Sequence, residues 1–350
     1  MRSVLSYFSD YFEPEKTARY WHHSAGWIAR HLYTVLNEYG RVDYLDSLDR
    51  PRGLKADLMV GHFWAFAAQC ATNCFKQQVA VYSIANPDWT RTRLSHLAQR
   101  FSVPFPEWDF PPPDFENQPT LRAADRVLLI GNRAVESTFP RQIQKKIHRL
   151  NYSVDTNLFM FDPAATKSHG FCYVATECDL RKGFMDVLRT WQRISPERSI
   201  LQIIGNMREP WLSLFKQMNR GSMYYHGWID SCSQDYRSVL QSSRFAYMPS
   251  YSEGIMGTLL EAIFCGCIPI TTRMSGIDER VLSHCLIVEP LDIDQQQKVI
   301  EDAASWTHEQ CLVRMMTIKR AADCYLSEAH FCSTFRLFIE THVLGSDVVI

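Results

Sequence analysis

The feature that most limits the folds open to this chain is an alternation, run through twice, of short aliphatic or β-branched stretches with longer helix-like segments. In the first half the stretches fall near Val4–Tyr7, Val42–Leu45, Leu58–Val60, Val79–Ser83 and Val127–Ile130, with helical patterns at Thr17–Glu38 and Phe66–Phe75 between them. The second half repeats the scheme near Phe171–Ala175, Ser199–Ile204, Met223–Tyr225, Phe245–Met248, Ile268–Thr271 and Leu286–Val288. Strand–helix alternation predicts parallel sheets covered on both faces. Two such runs predict an α/β protein of two doubly wound domains facing each other across a cleft. The hinge is expected in "NLFMFDPAATKSHG", where a proline and small polar residues interrupt the pattern. The domains would span 1–163 and 164–329, with a last helix at about 330–350 packing back on the first.

A chain of 350 residues has room for two cores of ordinary size. Its formal net charge of −1 gives no basic footprint, so nucleic acid is not an expected partner. The eleven cysteines are odd in number and scattered, and neither Cys70 with Cys74 nor Cys265 with Cys267 is completed to a zinc set. Reduced, mostly buried thiols in a cytoplasmic protein are the expectation. The opening "MRSVLSYFSDYFEPEK" has acids where a signal peptide keeps an apolar stretch. No apolar run approaches the roughly 18 residues of a membrane span, although contact with the cytoplasmic membrane surface stays open.

The stretch richest in chemistry is "YMPSYSEGIMGTLLEAIFCGCIPI". "RFAYMP" reads as a buried strand stopped by Pro249, "SYSEGIMG" as a loop at that strand's C-terminal edge, and "TLLEAIFCG" as a helix. Ligands of open α/β sheets bind at that edge. Gly254 and Gly257 let a ligand approach the backbone, and the N–H groups around Gly257 and Thr258 form a seat for phosphate. Glu261, one turn in, would repel a phosphate and suits ribose hydroxyls instead, while Glu253 suits another polyol. The plain alternative makes Glu253 a helix cap and Glu261 a solvated helix residue. One phosphate seat between two hydroxyl acceptors describes a nucleoside diphosphate sugar.

The surrounding pattern of Pro249, Ser250, Glu253, Gly254, Gly257, Leu260, Glu261, Ala262, Gly266 and Pro269 resembles the signature of nucleotide-sugar glycosyltransferases of family 4, with its two glutamates separated by seven residues. "RKGFMDVLRTW" looks like the family's Lys-Gly-Phe segment, "LQIIGN" like the strand after it, and "YYHGWID" like the approach to the glutamate motif. "ADRVLLIGN" and "LNYSVDTNLF" are similar to segments closing the N-terminal domain. The resemblance implies a GT-B fold and transfer with retention of configuration, with no cofactor beyond the donor substrate. It implies that Glu261 holds the donor ribose, Glu253 a sugar hydroxyl, and the backbone of Gly254, Ile255, Met256, Gly257 and Thr258 the sugar and diphosphate. Lys182 would neutralise the diphosphate and assist its departure, with Gly227 and Trp228 near the nucleobase.

The sequence departs from the family at several points. Glu177 stands where the family carries an arginine five residues before the lysine, and Arg181 is the candidate to supply that charge. On a helix, however, the neighbours Arg181 and Lys182 would diverge. The glycine pair after the first strand is absent, and Ala85 and Asn86 stand where a histidine is common. His62, after the third strand, is then the candidate at the acceptor side, against a structural reading. His22 and His23 lack ligand spacing. "LDID" places Asp292 and Asp294 at a metal-like spacing, but capping of the next helix explains it more simply; no metal is expected. "TARYWHHSAGWIARHLYTVL", with Tyr20, Trp21, Trp27, Tyr33, Arg19 and Arg30, reads as a core-packed amphipathic helix or as an aromatic face for a glycan or lipid-linked acceptor. The proline-rich "FSVPFPEWDFPPPDFENQP" reads as a surface connector or an acceptor-facing loop. The reading is a glycosyltransferase carrying a sugar to a hydroxyl of a glycan, lipid-linked or small-molecule acceptor. Its alternatives are a catalytically silent nucleotide-sugar binder, a partner subunit, or another enzyme of this fold such as an epimerase.

Overall fold

A computed structural model describes residues 1–12, 23–106, 117–161, 167, 169–197 and 199–345. Contacts divide the chain into two compact units, one of Met1–Trp89, Asp109–Val154 and Leu326–Ile350, the other of Thr90–Trp108 and Asp155–Tyr325. Each holds a six-stranded sheet in which every strand pair is parallel.

In the first unit β1 (Arg2–Tyr7), β2 (Arg41–Asp46), β3 (Lys55–His62), β4 (Cys74–Tyr82), β5 (Arg126–Ile130) and β6 (Ile147–Leu150) lie in the order β2-β1-β3-β4-β5-β6. The inner strands end in unbroken buried runs, such as Leu58–Phe63 and Val79–Tyr82, as a sheet covered on both faces requires. The helix Ser24–Glu38 buries Trp27, Ile28, Leu32, Val35 and Leu36 at helical spacing, and the His23 side chain accepts from the Ala25 N–H at its start. The helix Glu328–His342 packs on it: Phe331 meets Trp27 edge-on, and Arg336 forks onto Glu38 at 2.6 Å.

In the second unit β7 (His169–Glu177), β8 (Leu201–Asn206), β9 (Met223–Tyr225), β10 (Ser243–Met248), β11 (Ile268–Thr271) and β12 (Leu286–Ile287) take the order β12-β11-β10-β7-β8-β9. The chain winds outward one way from β7 and the other way from β10, so the topological switch lies between these neighbours, and the loops leaving their C-terminal ends flank the crevice where such sheets bind ligands. Phe171 stacks on Phe245 and meets Trp191 edge-on, which fastens β7 and β10 to the helix Phe184–Trp191.

Most strands lie where the pattern puts them. The helix expected over Phe66–Phe75 stops at Thr72, because Asn73 turns extended and spends its side chain on Pro51, Leu54 and Gln69, so that Cys74 and Phe75 enter β4. The helix expected from Thr17 is described from Ser24; Arg19, Tyr20, Trp21 and His22 lie outside the described residues, as does 107–116 of the proline-rich stretch. β6 was not expected, since its half-buried Ile147–His148–Arg149 reads as polar.

Two glycines seat the loop after β10. Gly183 (φ +71°) presses on Pro249, where an added Cβ would lie 2.0 Å from the carbonyl oxygen, and Gly276 (φ +74°) presses on Gly254, with 1.3 Å to its carbonyl oxygen. Gly276→Ala therefore forces a left-handed alanine into backbone. It is expected to lower the urea unfolding free energy by more than about 2 kcal/mol, read by circular dichroism.

Candidate active site

β7 runs out at Glu177 into a compact turn rather than directly into a helix. The Asp179 carboxylate accepts from the Lys182 N–H (2.9 Å), its carbonyl accepts from Phe184 N–H (3.0 Å), and the helix begins only at Phe184 after left-handed Gly183. Arg181 and Lys182 are thus turn residues, and the divergence expected of helical neighbours does not apply. The Arg181 carbonyl accepts from the Tyr251 N–H (2.9 Å) and the Ser250 hydroxyl (2.9 Å), tying this turn to the loop after β10. That loop is held on its other side by the Thr272 hydroxyl on the Ser250 carbonyl (2.6 Å) and by Met256 N–H on Ser275 (3.0 Å).

Both cations converge on Glu253. Arg181 Nη1 lies 2.8 Å from Oε2, Lys182 Nζ lies 2.8 Å from Oε1, and the Ser250 hydroxyl donates at 2.7 Å. Glu253 is 5% exposed. Burial alone would push its carboxyl up, but the charges of Arg181 and Lys182, with the hydrogen bonds from Lys182 and Ser250, hold it below the ordinary carboxylate range. Glu253 is not a helix cap: the helix Gly257–Phe264 begins after Met256 without a side-chain cap. The N–H groups of Gly257 and Thr258 have no acceptor among the described residues, while those of Leu259 and Leu260 reach Met256.

Glu261 lies one turn along that helix, half-buried, and the Tyr236 hydroxyl donates to its Oε2. Burial pushes its carboxyl up to about 7, against a smaller downward pull from Tyr236. The two glutamates therefore sit in opposed electrostatic settings, one fixed as an anion and one poised near neutrality.

The remaining expected residues are more dispersed. Gly227 is left-handed (φ +79°), its carbonyl accepts from Gly205 N–H at 3.0 Å, and Trp228 beside it is 62% exposed. His62 closes β3 in the first unit at 3% exposure, among the rings of Tyr7, Phe8, Phe63 and Trp64. Burial pulls its pKa down to about 3, so it is a neutral imidazole packed in an aromatic cluster. Glu177 is engaged by Asn206 (2.9 Å) and Arg208 (3.4 Å). Asp292 caps the helix Ile293–Ala304 through Gln295 N–H (3.0 Å), and Asp294 meets Arg193. Among the described residues no three His, Cys, Asp or Glu side chains gather as metal ligands. The eleven cysteines are all free thiols. Sequence reasoning missed Tyr236, which no motif marks, and the Asp179 turn, whose signal is an Asp three residues before the backbone it bonds.

Residues 169–304 match the family model "Glycosyl transferases group 1". No curated protein matches the sequence. Among solved structures the chain resembles a sucrose-phosphate synthase from Thermosynechococcus elongatus, at 13% identity and a TM-score of 0.68 over 99% of this chain and 100% of that one. It also resembles WaaG, a glycosyltransferase involved in lipopolysaccharide biosynthesis, at 12% identity, TM-score 0.62 and 97% of each chain. A third likeness is an α,α-trehalose-phosphate synthase (UDP-forming) from Burkholderia vietnamiensis, at 12% identity and TM-score 0.60 over 97% of this chain and 78% of that one. At such identities the structures establish the fold, which is GT-B with two Rossmann-like domains. The group 1 match and that fold together support a glycosyltransferase.

Arg181→Ala and Lys182→Ala are each expected to cost about 1–3 kcal/mol of stability, the worth of one charged hydrogen bond. The double variant should exceed their sum, because only then does a buried carboxylate lose its last cation. Urea titrations of the four proteins measure this. Since the Glu253 pKa is depressed, its stabilisation is present above the ordinary carboxylate range and is lost as pH falls through the lowered value. Glu253→Gln should therefore flatten the acid side of the stability profile.

Proposed function

We propose that this protein is a retaining glycosyltransferase that moves a sugar from a nucleoside diphosphate donor to a hydroxyl acceptor. The observation that carries the reading is the convergence of Arg181, Lys182, Glu253 and the free N–H groups of Gly257 and Thr258 at the switch point of the second sheet. Arg181 and Lys182 stand together beside a helix N-terminus with Glu253 between them, a setting suited to a diphosphate. Glu253, fixed as an anion with one acceptor site left on Oε2, is suited to accept from a sugar hydroxyl. Glu261, a turn further along, suits the ribose diol.

As the glycosidic bond breaks, negative charge grows on the leaving diphosphate. Lys182 and Arg181 would stabilise that charge more than they stabilise the ground state. Arg181 takes the part of the arginine replaced by Glu177. No metal is assigned to the reaction, because lysine, arginine and backbone N–H groups can carry the neutralisation. The acceptor class is a glycan, a lipid-linked or a small molecule, and the expected setting is the cytoplasm, at its membrane surface where the acceptor is lipid-linked. Among the described residues no helix is long and apolar enough to cross a membrane. His62, buried as a neutral ring, is assigned no proton transfer.

A silent nucleotide-sugar binder is the second reading, favoured by Glu177 at the arginine position. Three measurements separate the two. UDP, GDP and ADP, with their sugars, should include one that raises the melting temperature. Donor hydrolysis without acceptor should then be detectable and survive excess chelator, whereas restoration by Mn²⁺ alone would return Asp292 and Asp294 to consideration. Lys182→Ala should lower kcat by about 10²–10³ with a smaller change in KM. A variant with raised KM and unchanged kcat would make the lysine a binding group only.

A further inference from the structure

We infer that Tyr236 is a positioning residue for donor binding, its hydroxyl fixing the Glu261 carboxylate so that the remaining oxygen faces a ribose diol. The inference rests on the reading of Glu261 as the ribose acceptor. Tyr236 is 2% exposed on the helix Gln234–Ser242. That helix is capped by the Ser233 side chain on Tyr236 N–H (3.2 Å), and Phe159 packs edge-on at 6.4 Å, so the ring has one orientation. Its hydroxyl donates to Oε2 of Glu261, leaving Oε1 outside that bond. A glutamate otherwise rotates freely about its last torsion, and presenting one chosen oxygen to a diol needs that rotation stopped before the ligand arrives.

The surroundings give the pair a second consequence. The titratable groups facing Glu261 are Tyr236 and Cys232 from the neighbouring helix and the loop before it, and Cys265 at the end of its own helix. Arg237, next to Tyr236, is bonded away to the Cys232 carbonyl (2.7 Å) and Gln234 (2.9 Å). Among the groups that shift Glu261 none is a cation, and the Tyr236 bond is what opposes burial. Burial, then the Glu261 charge, keep the Tyr236 phenol protonated and donating. Because the carboxylate is the form that accepts two ribose hydroxyls, affinity for a nucleoside diphosphate should rise with pH through about 7.

The test is calorimetric titration of wild type, Tyr236→Phe and Glu261→Gln with UDP, GDP and ADP from pH 6 to 9. Tyr236→Phe is expected to weaken binding of the recognised nucleotide by about 3- to 10-fold at pH 8. It should also move the midpoint of the affinity profile to higher pH, because the carboxylate loses its hydrogen bond. Lost packing alone would weaken binding without moving the midpoint, and that result overturns the inference. Glu261→Gln, which keeps an oxygen for Tyr236, reports on the underlying reading. Loss of affinity there with an unaltered Tyr236→Phe profile sinks only the positioning role. Unchanged affinity in Glu261→Gln, or no binding of any of the three nucleotides to wild type, removes the ribose assignment and the inference together. If Tyr236→Phe does not fold, Tyr236→Met, which also lacks a donor, should show the shifted midpoint; an unshifted midpoint in that variant also overturns the inference.

Discussion

The buried ion cluster of Glu253 with Arg181 and Lys182 is the interaction on which the second unit's switch point depends. Neither loop of that crevice has regular structure to hold it: one is a six-residue turn after β7, the other a run from Pro249 to Met256. What aligns them is the Arg181 carbonyl, which receives both Ser250 and Tyr251, together with the Arg181 and Lys182 side chains, which meet on one carboxylate. Taking three charges out of water is expensive, and a pair of apolar loops would be as stable. The cluster instead fixes where two cations stand relative to a helix N-terminus whose first N–H groups have no acceptor among the described residues.

The two glutamates show how one short motif supplies two chemical settings. Glu253 is the more buried, yet cations decide its charge. Glu261 is less buried, has only a phenol for a partner, and rises to about 7. Neighbours, more than depth, separate them. One carboxylate is locked by two cations, and the other is held by a single hydrogen bond from a phenol.

Much of this was legible in the sequence. Parallel strands buried on both faces announce themselves as aliphatic runs, so eleven of the twelve strands among the described residues fall where periodicity places them. β6 escapes because an edge strand carries His148 and Arg149 on half-buried positions, where apolar patterning fades. The Glu253 to Gly257 loop was readable because glycines and a proline bound it. The convergence of Arg181 and Lys182 was not, since it turns on whether residues 178–183 are helix or turn. That choice is made by Asp179, whose side chain bonds Lys182 N–H and stops the helix from starting early. His62 is open to two readings in the sequence for a related reason: the chain does not show that Phe8, Phe63 and Trp64 pack around a histidine ending a strand.

A polar network behind the loop explains why the loop can be so exact without secondary structure of its own. Asp186, fully buried on the helix Phe184–Trp191, accepts from the Tyr251 hydroxyl (2.6 Å), Gln296 Nε2 (2.9 Å) and Leu291 N–H (2.7 Å). Tyr247 closes the circuit by donating to Gln296 and accepting, at 3.2 Å, from the Thr190 hydroxyl. Burial raises the Asp186 pKa, and those three bonds, with the charge of Arg189, oppose the rise. Such a network tolerates one arrangement, because any slip of the loop strands a buried oxygen. Tyr251 and Glu253 lie two residues apart, so the register that satisfies Asp186 on one side is the register that presents Glu253 to Arg181 and Lys182 on the other. The geometry of the candidate site is thereby inherited from the core beneath it.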